Sequence, residues 1–483
     1  MTTLFNSFAV GDVTTFEHSF DSEDFVAFSR LSGDTNPSHD PKAYAQGVLS
    51  FPPTVPLHLT LMPLSRMAGL AFPGEPSLCL GTDVRAVLPV YYGETLCYSA
   101  RIQSVNSTHR VLTLRVLALR NTEVVLEAGM RVQATADEWS TAPALPIFHT
   151  AKPGRAVVTG ASGAIGSAIA LALASRKWAL LLQDRGDSHR RQFLRAALER
   201  LNADANFVSA DLATESGRMA LGAAIADYSD VEAVIHAASP GLTAPLERLV
   251  AVNYSAFKEV ITAVLPNMLA RQKGRILLIG STAMLRCMLG WEDYAAAKTM
   301  VAGLVTELDK RFSAYGVRGL VLMAGYVATT YSNAVRGDAP ALLPQEVAET
   351  VTNMLDAPEA PVVVFEVGRH INGTFGFTTN QTAVDAVSRI QSLKISPEST
   401  ATDTDSVSAT IGSIVREVLR LPLVVDLSGG GIGITPRWDS LRQIEVILAL
   451  ESRLGIQFTS NELAELGHFD ALVAACQRKI SRL

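Results

Sequence analysis

Residues 155–166 read Arg-Ala-Val-Val-Thr-Gly-Ala-Ser-Gly-Ala-Ile-Gly, and this stretch decides the fold of the middle of the chain. Residues 156–158 form a short apolar run of strand composition, and a helical stretch follows Gly166. Glycines between a strand and a helix let the backbone turn tightly and approach a dinucleotide pyrophosphate, which the helix N-terminus attracts. The stretch therefore predicts a dinucleotide-binding turn between a strand and a helix.

The same alternation of short apolar runs and longer helical stretches continues to about residue 373. It is typical of βαβ units, whose strands form a parallel sheet. The apolar runs lie at residues 156–158, 179–182, 233–235, 276–279, 319–322 and 362–365. We therefore expect an α/β domain with a Rossmann-type, doubly wound parallel sheet.

Composition limits the possible functions. The 483 residues carry 41 basic and 47 acidic side chains, and this net charge of −6 argues against a nucleic-acid surface. Hydrophobic residues make up 48%, enough for several cores, and the length predicts roughly three domains. The apolar runs are too short to span a bilayer, the N-terminus lacks a signal-peptide pattern, and the four cysteines have no Cys-x-x-Cys spacing. We expect a cytoplasmic protein with free thiols and no metal site.

Changes in composition predict four segments. Residues 1–145 alternate apolar runs with polar turns, which indicates an antiparallel sheet in an α+β domain. Pro and Gly residues mark a boundary before the α/β domain, which we place at residues 152–385. Residues 386–406 are polar and predict a flexible linker, and the pattern of residues 407–483 predicts a small helical bundle.

A second motif in the middle segment carries chemistry. Tyr294 and Lys298 are four residues apart, so on a helix they share one face. An ammonium beside a phenol stabilises the phenolate and lowers the pKa of the tyrosine, which suits a proton donor to a carbonyl that receives hydride. Ser281 follows the predicted strand 276–279 and can hydrogen-bond the same carbonyl oxygen. These residues and the glycine-rich turn together predict a nicotinamide-dependent reductase.

With these motifs, residues 154–373 resemble the short-chain dehydrogenase/reductase family, of the β-ketoacyl reductase type. The resemblance implies that Asn253 completes a catalytic set with Ser281, Tyr294 and Lys298, and that Asn253 holds a water that relays protons. It also implies an NAD(P)H site. The cofactor contacts would be Gly160, Ser162, Gly163, Ile165, Gly166, Asp184, Arg185, Asp211, Leu212, Ala237, Tyr294, Lys298 and Thr329. Residues 236–239, His-Ala-Ala-Ser, stand where the family commonly has Asn-Asn-Ala-Gly.

The choice between NAD and NADP stays open at this point. Asp184, at the end of the second strand, can accept hydrogen bonds from ribose hydroxyls and repel a 2′-phosphate. The neighbouring Arg185 would attract that phosphate. The acidic residue favours NAD only slightly.

Residues 28–39 of the first segment concentrate turn-forming residues around Asp34 and His39. Such a pair can add or remove water by moving protons at carbon and at oxygen. Residues 8–135 resemble the MaoC-like (R)-specific enoyl hydratases, which have the hot-dog fold. The resemblance implies an acid/base pair of Asp34 and His39, supported by Asn36. Residues 55–59 lack the His-Gly dipeptide with which that family holds the thioester oxygen, so a dimerisation module is the alternative.

The last segment places Ser440 after an aspartate and before a helical pattern. An Asp-Ser pair at a helix start is by default an N-cap. Residues 407–483 as a whole resemble an acyl carrier protein. The resemblance implies that a separate phosphopantetheinyl transferase attaches 4′-phosphopantetheine to Ser440.

The three resemblances belong to one chemistry. They imply a fatty-acid or polyketide-type fusion that reduces a β-ketoacyl thioester and dehydrates the product while the acyl chain stays on the carrier. A separate ketosynthase and other synthase enzymes would be partners, and a homo-oligomer is expected by resemblance. Two alternatives remain: a ketoreductase–carrier protein whose N-terminal domain only dimerises, and a carrier-loading scaffold that docks to other enzymes.

Overall fold

The computed structural model divides the chain into two compact units, Met1–Ala383 and Val384–Leu483. The two domains predicted at residues 1–145 and 152–385 therefore belong to one unit. The structure describes residues 4–135, 145–149, 153–186, 188–285, 289–329, 341–357, 360–366, 404–419, 421, 427–428, 430, 435, 438, 446–447, 449–450, 453–454, 456, 458, 466 and 468–480.

The first part of this unit is an antiparallel sheet of six strands in the order β2-β5-β4-β3-β1-β6. The strands are β1 Val13–Ser19, β2 Ser77–Ala86, β3 Thr95–Asn106, β4 Val111–Arg120, β5 Glu123–Ala134 and β6 Ile147–Phe148. Helices α1 Ser22–Ser32, α2 Pro41–Ala45 and α3 Leu57–Leu70 accompany them. Helix α3 shares the core of the sheet, and the Tyr98 hydroxyl donates to the carbonyl of Thr60, 2.8 Å away. The predicted antiparallel sheet is present, and the hot-dog assignment stays a prediction.

The second part is a parallel sheet of seven strands in the order β13-β12-β11-β10-β7-β8-β9. Its strands are β7 Arg155–Thr159, β8 Ala179–Asp184, β9 Ala205–Ser209, β10 Val231–His236, β11 Gly274–Ser281, β12 Val317–Ala324 and β13 Val363–Glu366. Its helices are α4 Ala164–Ser175, α5 His189–Arg200, α6 Glu215–Ala226, α7 Leu246–Val250, α8 Ala256–Ala270, α9 Glu292–Phe312 and α10 Pro344–Asp356. The strand order reverses between β7 and β10. A crevice forms at such a switch point, beyond the carboxyl ends of the strands.

Helices α7 and α8 join through a π-helical turn, Ala251–Ser255, into one helical run. This run, Leu246–Ala270, is the one candidate membrane span among the described residues, by length and hydropathy alone. Half of its most apolar window is buried in the fold. Val260 and Val264 of α8 pack with β10 and β11, so a core position in the domain explains the apolar composition.

The second unit has its own core. Helices α11 Thr404–Leu419 and α12 Phe469–Ile480 contribute to this core, together with Trp438, which is 2% exposed. Helix α11 begins at Thr404, three residues before the predicted start of the carrier segment, so the end of the predicted linker is helical. The rest of the linker, and Ser440 with its neighbouring aspartate, lie outside the described residues.

Gln272 joins the two sheets of the first unit. It follows α8 in the left-handed region, with φ 50°, and it is 1% exposed. Its Nε2 donates to Ser99 Oγ at 2.9 Å, and its Oε1 accepts from Arg115 Nε at 2.6 Å. Ser99 Oγ in turn donates to the carbonyl of Ala270, at the end of α8, and Arg101 Nη1 donates to the carbonyl of Gln272 at 3.1 Å. Strand β3 thus satisfies carbonyl groups at the C-terminal end of α8, which the helix itself leaves unpaired, and β4 bonds the Gln272 side chain.

We predict that Gln272→Ala destabilises the first unit by about 2 kcal/mol, because it leaves Arg115 Nε on β4 without an acceptor and the Ser99 oxygens on β3 without a donor. Thermal or urea unfolding of the full chain, followed by tryptophan fluorescence and circular dichroism, measures the change. Glu307→Ala is the control, since Glu307 and Lys310 are about 70% exposed and their ion pair contributes little. A Gln272→Ala transition at the wild-type midpoint would contradict the prediction.

Candidate functional site

A cavity of about 1930 Å³ opens at the carboxyl edge of the parallel sheet, across the β7/β10 switch point. Residues that follow β7, β8, β10, β11 and β12 line it, as does the start of α9. All of the predicted cofactor-binding residues are in its lining: Gly160, Ser162, Gly163, Ile165, Gly166, Asp184, Arg185, Asp211, Leu212, Ala237, Tyr294, Lys298 and Thr329. Ser281 lines the same cavity. The fold therefore brings residues that are up to 169 positions apart in the sequence into one cleft.

The glycine-rich turn has the geometry expected of a phosphate-binding loop. Gly160 has φ 68°, and a Cβ there would lie 2.8 Å from Cα of Ala238. A Cβ on Gly166 would lie 2.3 Å from the carbonyl oxygen of Gly160. Only glycine fits at either position. Helix α4 begins directly after Gly163 and has no side-chain cap, so its first N–H groups can meet an anion.

Asp184 at the end of β8 is 2% exposed. Its Oδ1 accepts from Gly186 N at 3.0 Å and from Arg191 Nη1 at 3.3 Å, and Arg191 also donates to Ser209 Oγ at 2.6 Å. The buried guanidinium therefore compensates the negative charge of Asp184. Arg185 is exposed on the cavity side of this pair.

Lys298 and Tyr294 lie in the first turns of α9, on the face predicted from their spacing. Lys298 is 2% exposed, and its Nζ donates to the carbonyl of Ile279 on β11 at 3.0 Å. Burial lowers the pKa of Lys298 to about 8. Burial raises the pKa of Tyr294, and a hydrogen bond with Ser281 acts in the opposite direction.

The expected lowering of the Tyr294 pKa by Lys298 is therefore wrong for this structure. The ammonium of Lys298 is bonded to the strand β11, and desolvation of the phenol is the larger effect on the Tyr294 pKa. A tyrosine with a raised pKa is protonated at neutral pH, and that is the form that donates a proton. The proton-donor role predicted for Tyr294 thus rests on its contact with Ser281.

Asn253 lies in the π-helical turn and is fully buried. Its Nδ2 donates to the carbonyl of Leu249 at 2.9 Å, whereas its Oδ1 is buried without a hydrogen-bond partner. A buried acceptor of this kind costs free energy unless a donor reaches it, so it fits the bound water that the resemblance implies. Asn253 itself is absent from the cavity lining, where its neighbour Val252 contributes.

The N-terminal candidates Asp34 and His39 lie in the loop between α1 and α2 and are half-buried. Asp34 Oδ1 accepts from Asn36 N at 2.9 Å, which ties the loop as expected. His39 Nδ1 lies 2.8 Å from the carbonyl of Thr54, to which a protonated Nδ1 donates. The neutral ring then carries its lone pair on Nε2, the nitrogen that could act as a base. The Tyr92 hydroxyl donates a hydrogen bond to the backbone carbonyl of His39 at 2.8 Å.

Several residues that line the cleft were not predicted from the sequence. His189 and Arg190, in the first turn of α5, line the cavity, as do Arg248 and Trp291. The start of α5 could have been found from Ser188, which caps that helix by accepting from Arg191 N. Arg248 and Trp291 belong to no motif, because only the tertiary fold brings them to the opening.

Comparison with known proteins agrees with this architecture. Residues 155–339 match the family model described as short chain dehydrogenase. An uncharacterized oxidoreductase of Staphylococcus epidermidis is 27% identical over 213 residues, which cover 42% of this chain and 91% of that protein. A very-long-chain 3-oxooacyl-coA reductase of Caenorhabditis elegans is 29% identical over 199 residues, 38% of this chain and 62% of that protein. The 3-oxoacyl-[acyl-carrier-protein] reductase of Vibrio harveyi is 27% identical over 136 residues, 26% and 55% respectively.

Among solved structures, a short-chain dehydrogenase from Sphingobium yanoikuyae in complex with NADPH has a TM-score of 0.42 and 21% identity, and it covers 52% of this chain and 99% of its own. A 3-oxoacyl (acyl-carrier-protein) reductase from Agrobacterium tumefaciens has a TM-score of 0.41 and 24% identity, with 45% and 95% covered. The family match spans β7 to β12 and the residues that line the cleft. Residues 155–339 therefore form a domain that is similar to the short-chain dehydrogenases.

Proposed function

We propose that this protein reduces a β-ketoacyl thioester with NADPH and then dehydrates the β-hydroxyacyl product. The proposed reduction is supported by one observation: the glycine-rich turn lines the same cavity as Ser281, Tyr294 and Lys298. Two of the relatives are named as 3-oxoacyl reductases, which supports a ketone next to a thioester as the substrate class. The proposed dehydration rests on the resemblance of residues 8–135 to the enoyl hydratases. It also rests on the contact between His39 Nδ1 and the Thr54 carbonyl, which favours a neutral ring with its lone pair on Nε2.

Each residue of the reductase site has a separate task. NADPH, when bound, supplies the hydride that reaches the ketone carbon. Ser281 holds the ketone oxygen by a hydrogen bond, and Tyr294 donates its phenolic proton to that oxygen, so the product is the hydroxyl. Lys298, with a pKa of about 8, can return a proton to the phenolate near neutral pH. Asn253 would hold the water through which Lys298 recovers its own proton.

The electrostatics of the cofactor pocket favour NADPH. Asp184 is buried and paired with Arg191, so its carboxylate is a weak barrier to a 2′-phosphate. Arg185 and Arg190 are exposed at the cavity and can meet that phosphate with charge-assisted hydrogen bonds. The slight preference for NAD drawn from the sequence thus reverses, because it treated Asp184 as a free carboxylate.

The remaining segments supply the substrate and the second step in this proposal. A carrier domain with phosphopantetheine on Ser440 would present the acyl thioester, and a flexible tether raises its local concentration to millimolar order. Separate enzymes, a ketosynthase among them, would load and unload the chain. We also propose that the protein assembles as a homo-oligomer.

We predict that Tyr294→Phe and Asp34→Asn separate the two activities in the full chain. Tyr294→Phe should lower reduction of an acetoacetyl thioester at least a hundredfold, because no proton reaches the ketone oxygen, and leave crotonyl thioester hydration unchanged. Asp34→Asn should do the reverse. NADPH absorbance and enoyl absorbance measure the two reactions. Loss of both activities in one variant would contradict the two-site proposal, and wild-type protein without hydration would favour the dimerisation module.

We predict that Arg185→Ala combined with Arg190→Ala raises the KM for NADPH about tenfold or more and leaves the KM for NADH unchanged, since only NADPH has the 2′-phosphate. Steady-state kinetics with both cofactors measure the change. Arg195→Ala is the matched control, because Arg195 is exposed on the same helix but stacks on Phe207 and is absent from the cavity lining. A wild-type preference for NADH would overturn the assignment.

The carrier proposal predicts one phosphopantetheine on the full chain. After incubation with a phosphopantetheinyl transferase and coenzyme A, intact-mass spectrometry should show a gain of one phosphopantetheinyl group in the wild type. Ser440→Ala should show none. A gain that survives in Ser440→Ala, or no gain in the wild type, would remove the carrier.

A further inference from the structure

His236 occupies an unusual position for a titratable side chain. It is the last residue of β10, at the switch point, and it is fully buried. Burial and the nearby Lys298 ammonium lower its pKa far below the ordinary value, so the ring is neutral. The reaction described above assigns it no task.

On one side, His236 contacts the strand that leads into the glycine-rich turn. Its Nδ1 lies 2.9 Å from Thr159 Oγ1, and that oxygen also accepts a hydrogen bond from Ala238 N at 3.3 Å. Since the Thr159 oxygen accepts from Ala238, its own proton is available to His236 Nδ1. Ala238 is the residue whose backbone touches Gly160, so the spacing of the cofactor turn depends on this network.

On the other side, His236 contacts the turn that carries Asn253. Its ring stacks on Phe257, with centroids 4.6 Å apart and planes 16° apart. Phe257 is one helical turn after Asn253, and this ring contact joins His236 to that segment, since His236 Nε2 is buried without a hydrogen-bond partner among the described residues. His236 therefore bridges the end of β7 and the start of α8, directly after the π-helical turn.

We propose that His236 is a positioning residue for hydride transfer, because it fixes the separation between the glycine-rich turn and the Asn253 turn. Hydride transfer needs the donor and acceptor carbons close together, and a misplacement of about 1 Å can lower the rate a hundredfold. The neutral ring contributes an acceptor for Thr159 and a flat face for Phe257. The inference rests on the proposed reductase activity.

The test uses four single variants of the full chain, and the double variant of His236→Phe with Thr159→Val, with acetoacetyl-N-acetylcysteamine and NADPH as substrates. His236→Phe keeps a ring for Phe257 and removes both nitrogens, whereas Thr159→Val removes the hydroxyl. His236→Asn restores an acceptor, because Asn Oδ1 and His Nδ1 are both bonded to Cγ. Thr262→Val is the control, since the Thr262 hydroxyl is exposed and bonds only the carbonyl of Lys258 on its own helix.

We expect kcat per NADPH-binding site to fall about tenfold in His236→Phe and about tenfold in Thr159→Val. The double variant should also lose about tenfold, because both substitutions remove the same Thr159–His236 hydrogen bond. His236→Asn should recover to within about threefold of the wild type with an unchanged pH profile, and Thr262→Val should equal the wild type. With NADPH deuterated at the transferred position, the isotope effect on kcat should grow in the slow variants.

Several outcomes would overturn the proposal. Independent effects that multiply to a hundredfold loss, or a lower melting temperature with unchanged kcat per site, would show that His236 only stabilises the fold. A changed pH profile in His236→Asn would make the ring a proton carrier. If His236→Phe does not fold, Thr159→Val with wild-type kcat would suffice to reject the link. A wild-type protein that binds NADPH but reduces no ketone would instead reject the proposed function.

Discussion

The reductase cleft depends on one backbone contact, the approach of Gly160 to Ala238 at the point where the strand order reverses. Any side chain at position 160 would collide with that backbone. The contact sets how closely the end of β7 lies to the end of β10, and both ends line the cavity. Residues from β11 and α9 complete the cleft around it, so the chemistry of Ser281 and Tyr294 is useful only if this contact is kept.

Electrostatics within the cleft follow from burial. Lys298 is held at a strand carbonyl away from water, which lowers its pKa, and the same dry surroundings raise the pKa of Tyr294. Both shifts favour the uncharged forms. The site is thus prepared to move protons near neutral pH without a large change of charge inside the protein.

Local patterns predicted the parallel sheet, its cleft and the positions of the cofactor turn and of α9, because strand, glycine turn and helix follow one another directly in residues 155–175. The same patterns gave wrong predictions for side chains whose surroundings depend on residues from other elements of the fold. Asp184 was taken as a free carboxylate, yet Arg191, seven residues later, compensates it. Lys298 was expected to act on Tyr294, yet its ammonium donates a hydrogen bond to the carbonyl of Ile279 on β11. His236, a departure from the family pattern, gave no local signal of its contacts with Thr159 and Phe257.

Gln272 connects the antiparallel sheet to the parallel sheet, and this limits how the N-terminal segment can be separated or exchanged. Strand β3 donates hydrogen bonds to the end of α8, and β4 donates to the Gln272 side chain; a separated reductase domain would have to replace these bonds with water. A cut near residue 150, where the composition marks a boundary, would expose this polar seam on both fragments. A replacement for the N-terminal segment would therefore need a serine and an arginine at the positions of Ser99 and Arg101 to keep these hydrogen bonds.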